Sequence, residues 1–351
     1  MGKNDRIELY RFVFSVLIMV FHAHNVNNGL GHPIPLGHVF VEFFFFLTGF
    51  FTYASLIKRR RDNTADLKNY PILYTLRKFR RFIPYIIMTA TLYVVMSVLC
   101  SRLIRHISVN DLLREFSGLP FDVLLLQVTG ICSNSSFNAW WYLSAILFTL
   151  PLAISLFHRK ICSEGVNAYI VYCSPFLIYG AFRVEVNGLD WDREVFGIVK
   201  SGIFRSFAGL CMGCIIYDLK ERLNASVKSE WQRMVLTIIE VVSYLSSVFI
   251  AWIWSDVCNS TFLIVLLLAI GMIITFSDKS YLAGMNSRMF SCLGRVSLPL
   301  YMCHYSIGRL IGRYFTEDNL FKRYLAYYTC SFLVAIGMHI VDRKLLKDDL
   351  G

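Results

Sequence analysis

Arg11 and His22 lie inside the first strongly apolar stretch of the chain, IELYRFVFSVLIMVFHA. A charge in a bilayer core costs at least ~2.5 kcal/mol, so an ionisable residue there is a functional candidate by default. Eleven residues of α-helix turn through about 1100°, close to three full turns, and rise about 16 Å. The spacing therefore puts a cation and a titratable imidazole on one face of one helix, near its opposite ends. That arrangement points to chemistry across a membrane.

Further ionisable residues recur in apolar surroundings. His38 and Glu42 open a second apolar stretch, HVFVEFFFFLTGF, and at i,i+4 they share a helical face. In a helix antiparallel to the first, Glu42 falls at roughly the depth of His22. A carboxylate there would raise the imidazole pKa and hold its tautomer, as a general base requires. The competing reading pairs Glu42 with an intramembrane Arg for packing. Arg77, Arg80 and Arg81 form a cluster, RKFRR, that stops three residues before Pro84. Arg77 and Arg81 share a face at i,i+4. Guanidinium forks suit phosphate oxygens, while anionic lipid headgroups would attract the same residues. Trp141, Tyr142 and Ser144 open a fourth apolar stretch, where an interfacial aromatic belt is the simple explanation. Arg205 precedes Gly209-x-x-x-Gly213, a close-packing motif. Tyr301 and His304 fall within a late stretch, LPLYMCH. Cys211 and Cys214 form a C-x-x-C with no second pair, so neither zinc nor any other metal is expected.

The elements that must position these residues are membrane helices. Of 351 residues 56% are hydrophobic and 17% charged, against about 25% charged in a soluble domain. Apolar runs near the spanning length recur throughout, which predicts an all-α, polytopic integral membrane protein. About ten spans can be drawn: 7–24, 36–57, 82–100, 139–157, 166–182, 198–217, 234–254, 260–276, 296–316 and 322–341. The run 121–132 is too short to cross and reads as re-entrant or interfacial. The first stretch resembles a signal peptide but is interrupted by Glu8 and Arg11 and lacks a small-x-small site, so it reads as a retained helix. With both termini cytoplasmic, most of the 35 Lys and Arg residues fall on one side, while loops 25–35 and 255–259 hold none. The net charge of +11 is thus topological, and nucleic acid is not expected as a partner. Residues 1–351 read as a single transmembrane domain without an internal repeat.

Taken in order, these segments resemble the membrane-bound acyltransferase family 3, which moves acyl groups, commonly acetyl, onto sugar hydroxyls of bacterial surface polysaccharides. Its R-x10-H motif matches Arg11 and His22. Its acidic residue before aromatics and Ser-Gly-Phe matches Glu42 through Thr48-Gly49-Phe50, with Glu for Asp and Thr for Ser. Its Arg-rich stretch ending in Pro matches Arg77, Arg80, Arg81 and Pro84. Its W-x-L-S matches Trp141 to Ser144, followed here by Ala145 where many members have Glu. Its S-x-x-L-Y-x-x-H matches Ser297, Leu300, Tyr301 and His304.

The resemblance implies a multi-pass O-acetyltransferase of the bacterial inner membrane with acetyl-CoA as donor and no metal. Its acceptor would be a polysaccharide (exopolysaccharide, capsule or lipopolysaccharide) or a lipid-linked oligosaccharide, recognised by the membrane domain or its outer loops. Arg77, Arg80 and Arg81 would bind CoA, Arg11 would guide it, and His22, oriented by Glu42, would act as base or form an acyl-imidazole. Two rivals are a transporter or flippase for a lipid-linked saccharide, and a glycosyltransferase built on Asp190, Asp192 and Glu194.

Overall fold

The computed structural model describes residues 5–27, 30–62, 70–104, 107–131, 135–162, 165–186, 188–195, 197, 199–254, 257–285, 287–315 and 319–348. Lys3 and Lys68, two of the expected cytoplasmic cations, lie outside them. The helices are α1 (Asp5–Phe21), α2 (Val41–Arg61), α3 (Tyr70–Arg80), α4 (Ile83–Leu103), α5 (Val109–Phe116), α6 (Leu119–Val123) and α7 (Trp141–Cys162). They continue as α8 (Val166–Ala181), α9 (Gly202–Ser226), α10 (Glu230–Ile253), α11 (Val257–Ser277), α12 (Arg288–Tyr314) and α13 (Leu320–Asp348). Two-residue strands at Glu194–Val195 and Val199–Lys200 pair antiparallel in the loop before α9. The chain is an all-α polytopic membrane protein.

A helix stands at each of the ten expected spans. Eight of the described helices are long and apolar enough to cross a membrane. The other two fall short for visible reasons. Helix α8 has 16 residues, about 24 Å, and reaches further only through a π turn at Phe182–Val186. Helix α12 has 27 residues but carries four arginines and the buried His304, so its composition is too polar. The short run 121–132 folds, in its described part, into the end of α6 and a 3-10 turn at Gln127–Thr129.

Two close pairings hold the centre: α1 lies along α12, and α2 along α9. The second depends on missing side chains. A Cβ on Gly49 would strike the Leu210 backbone, and one on Gly213 would strike the Phe46 carbonyl and the Phe50 nitrogen. The two backbones therefore touch, which is the service small residues perform where no hydrophobic force drives helices together. At the other end of α1, Arg6 is buried and donates to Glu240 of α10 at 3.1 Å and to Ser280 at 3.0 Å. Glu240 also accepts from Thr275 at 2.7 Å, so this buried carboxylate is satisfied from several helices.

Candidate active site

Two cavities open along α1, one beside Arg11 in its first half and one at its His22 end, and Tyr301 of α12 lines both. Beside Arg11 the cavity is about 300 Å³. Its polar wall is Arg11 of α1, Lys78 of α3 and Arg81 in the turn that follows; α2 contributes Phe44, Leu47 and Thr48. Tyr142 of α7 closes one side, its hydroxyl 3.3 Å from that of Thr48. Arg11 is held by Glu8, one turn earlier, at 2.8 Å. Three cations thus face one carboxylate. Burial, with Arg11 and Arg81 adding repulsion, pushes the Lys78 ammonium from 10.5 down to about 8. A site that crowds its cations in this way is set up to receive an anion.

Lys78 was not among the residues expected here, and Arg77 and Arg80 were. The reason is a break in the helix. The i,i+4 pairing of Arg77 with Arg81 assumes one continuous helix, but α3 ends at Arg80. The chain turns at Arg81–Phe82, where Phe82 N–H donates to the Phe79 carbonyl at 2.8 Å. Pro84 then starts α4, a position it favours because it has no N–H to satisfy. The turn redirects Arg81 into the cavity beside Lys78, and leaves Arg77 and Arg80 exposed outside it.

At the His22 end the cavity is about 380 Å³. Helix α1 tightens there into a 3-10 turn, His22–Val26, so His22 and His24 point to different sides. His22 lines the cavity. His24 does not, and its Nδ1 lies 3.1 Å from the Phe21 carbonyl. Among the described residues the buried Nδ1 of His22 has no hydrogen-bond partner. Besides its chain neighbours Phe21 and His24, the rings beside it are His304, centroid 5.3 Å away, and Tyr305, edge-on at 5.1 Å. His304 is buried, and its Nδ1 donates to the Leu300 carbonyl at 3.0 Å, since a carbonyl only accepts. Its Nε2 is then an acceptor, and among the described residues it too has no partner.

Glu42 does not orient His22. Its carboxylate accepts from the Arg205 Nε and, at 2.6 Å, from the Tyr179 hydroxyl, and both acid and guanidinium are fully buried. The packing reading of Glu42 is the one the geometry fits. Arg205 goes on to donate to the backbone carbonyls of Leu189 and His38 and sits 4.9 Å over the Trp141 ring. Azimuth decided the partner of Glu42: α2 turns this side chain towards α9 rather than α1.

Arg205 and Trp141 both line the His22 cavity, and Trp141 stacks on Trp191 at 5.7 Å. Asp190 and Asp192 stand at the same cavity. Ser144 lies at neither: its buried hydroxyl accepts from the Val128 N–H at 3.3 Å, fastening the turn after α6 to α7. Tyr301 donates to the Ala139 carbonyl, which fixes its ring between the two cavities. Among the described residues no group of His, Cys, Asp and Glu has the arrangement of a metal site.

Residues 4–340 match the acyltransferase domain of acyltransferase family 3, and the chain belongs to that family. It is a membrane acyltransferase. No curated protein and no solved structure gives a significant match.

Proposed function

We propose that the protein transfers an acetyl group from acetyl-CoA, entering from the cytoplasm, to a sugar hydroxyl on the far side of the bacterial inner membrane. The observation that carries this reading is the pair of cavities sharing Tyr301, one lined by Arg11, Lys78 and Arg81, the other by His22. The cationic cavity fits a phosphate-bearing donor by charge, and its apolar continuation along Phe44 and Leu47 fits a thin acyl-carrying arm. Acetyl-CoA supplies the activated carbonyl. His22 accepts the proton of the acceptor hydroxyl as its oxygen bonds to that carbonyl, and returns it to the departing sulfur as the C–S bond breaks. His304 offers an unpartnered nitrogen behind His22, in place of the carboxylate expected from the sequence. Arg205 and Glu42 hold α2 against α9 and so fix one wall of the acceptor cavity.

Trp191, half-buried and backed by Trp141, offers an apolar ring at the cavity, and Asp190 and Asp192 offer acceptors, which together suit the two sides of a sugar ring. The acceptor is thus a saccharide of a polysaccharide or its lipid-linked precursor. Membership in an acyltransferase family weighs against the transporter or flippase reading. Purified protein in detergent, given acetyl-CoA and an oligosaccharide acceptor, should release CoA only when both are present. Acceptor movement without CoA release would replace this reading with transport.

A further inference from the structure

A third cavity, about 410 Å³, adjoins the His22 cavity, and Asn138 lines both. It is lined by Arg114 of α5 and by Arg309 and Arg313 of α12, with Asp111 and Glu115 on the α5 side. Both acids are engaged. Glu115 accepts from Tyr93 and pairs with Arg313, and Asp111 accepts from Ser108 at 2.7 Å. Among the described residues Arg114 and Arg309 have no ion-pair partner; Arg309 reaches only the neutral carbonyl of Ser135, at 3.3 Å. The Ser108 hydroxyl leaves the charge on Asp111, so three arginines face two carboxylates and the groove keeps a small net positive charge.

The register along α12 joins this groove to the reaction site. Ser297, Tyr301, Tyr305, Arg309 and Arg313 recur every four residues, so they form one slowly turning stripe. Ser297 and Tyr301 line the donor cavity, Tyr305 stands edge-on to His22, and Arg309 and Arg313 line the groove. From Tyr301 to Arg313 the stripe covers about 18 Å. Helix α5, one wall of the groove, exposes the apolar side chains of Val109 and Leu113; α4, which contacts both α5 and α6, ends in exposed Leu103 and Ile104, and Leu124 is exposed just after α6. In a membrane protein such a rim faces lipid.

We infer that this groove binds the phosphate of a lipid-linked acceptor, with the lipid chain on the apolar rim and the sugar reaching past Asn138 to His22. The inference rests on the proposed acyl transfer and names the anchor of its acceptor. Guanidinium pairs recognise phosphate oxygens through parallel hydrogen bonds, which suits a phosphate held at two points by Arg114 and Arg309.

The test separates binding from turnover. Inorganic pyrophosphate is titrated onto the detergent-purified Arg81→Ala protein, in which the donor cavity is weakened, and onto Arg81→Ala/Arg309→Ala. Loss of at least tenfold in pyrophosphate affinity in the double variant is expected; equal binding overturns the anion site whether or not the enzyme turns over. In acetylation assays, Arg309→Ala should raise KM for a polyprenyl diphosphate-linked sugar about tenfold, with KM for acetyl-CoA unchanged, and Arg309→Lys should recover part of it. The KM for the same sugar without lipid should not move. A KM change confined to a lipid-free acidic saccharide would overturn the lipid-phosphate assignment, because the groove would then be reading a sugar carboxylate.

Discussion

The carboxylate of Glu42 on α2 is bound by the guanidinium of Arg205 on α9, 163 residues away in sequence, and both are fully buried. The expected partner, His22, faces His304 and Tyr305 instead. An ion pair with its lone pairs satisfied in this way holds two helices in register. It also makes each partner costly to remove alone, because the other charge is then stranded away from water.

Glu42→Gln should therefore destabilise the protein by about 3–5 kcal/mol, as breaking one side of a buried pair does. Thermal unfolding in detergent measures this. The Glu42→Gln/Arg205→Met double variant should be less destabilised than the sum of the single variants, since neither charge is left unpaired. The pH–rate profile of whatever Glu42→Gln protein remains folded should keep its acid limb. A shifted limb at unchanged stability would restore Glu42 as the electrostatic partner of His22.

His22→Ala should abolish CoA release in the presence of acceptor while the protein still folds, and His24→Ala should lose little activity. The 3-10 turn separates them: His22 lines the cavity, and His24 is turned to the Phe21 carbonyl. His304→Ala should lower kcat with little change in KM for acetyl-CoA, because it stands behind His22 and not in the donor cavity. An essential His24 with a dispensable His22 would move the reaction elsewhere.

Arg81→Ala and Lys78→Ala should each raise KM for acetyl-CoA roughly tenfold, the scale of one charge-assisted hydrogen bond. Arg77→Ala and Arg80→Ala should change it little, since neither side chain lines the cavity. Lys at position 81 should rescue poorly, because an ammonium lacks the two-pronged geometry of the guanidinium. Steady-state kinetics at fixed acceptor distinguishes the pairs, and equal effects at all four positions would show diffuse attraction instead of a built site.

The crowding of Lys78 gives the donor site a pH dependence. Its ammonium is pushed down to about 8 before any anion binds. Below that pH the lysine is charged and contributes fully to anion binding; above it, binding must first recover a proton. The apparent KM for acetyl-CoA should therefore rise as pH climbs from 7 through 9. Lys78→Arg, whose charge persists throughout, should flatten that rise. An unchanged slope in the arginine variant would assign the titration to another group.

Much of this protein is local in origin, and local properties are what a sequence displays. Transfer free energy is a sum over neighbouring residues, so the apolar runs located a helix at every expected span, including the polar α12. Helical periodicity is equally local, and it separated Arg11 from His22 along the first helix; that each lines a cavity was visible only in the fold. That α9 is closely packed was legible as well, because Gly209 and Gly213 lack the side chains that would prevent it; that its neighbour is α2 was not. What only the tertiary structure decided is which face meets which. Glu42 found Arg205 because the rotation of α2 about its own axis is set by packing against α9, which no depth argument can reach. Lys78 replaced Arg77 because a turn at Arg81–Phe82 interrupts the helix on which the four-residue rule depends. The joining of Tyr301, Tyr305 and Arg309 into one path past His22 required α12 to lie along α1, a contact between chain segments nearly 300 residues apart, specified by side chains at both ends and visible in neither alone.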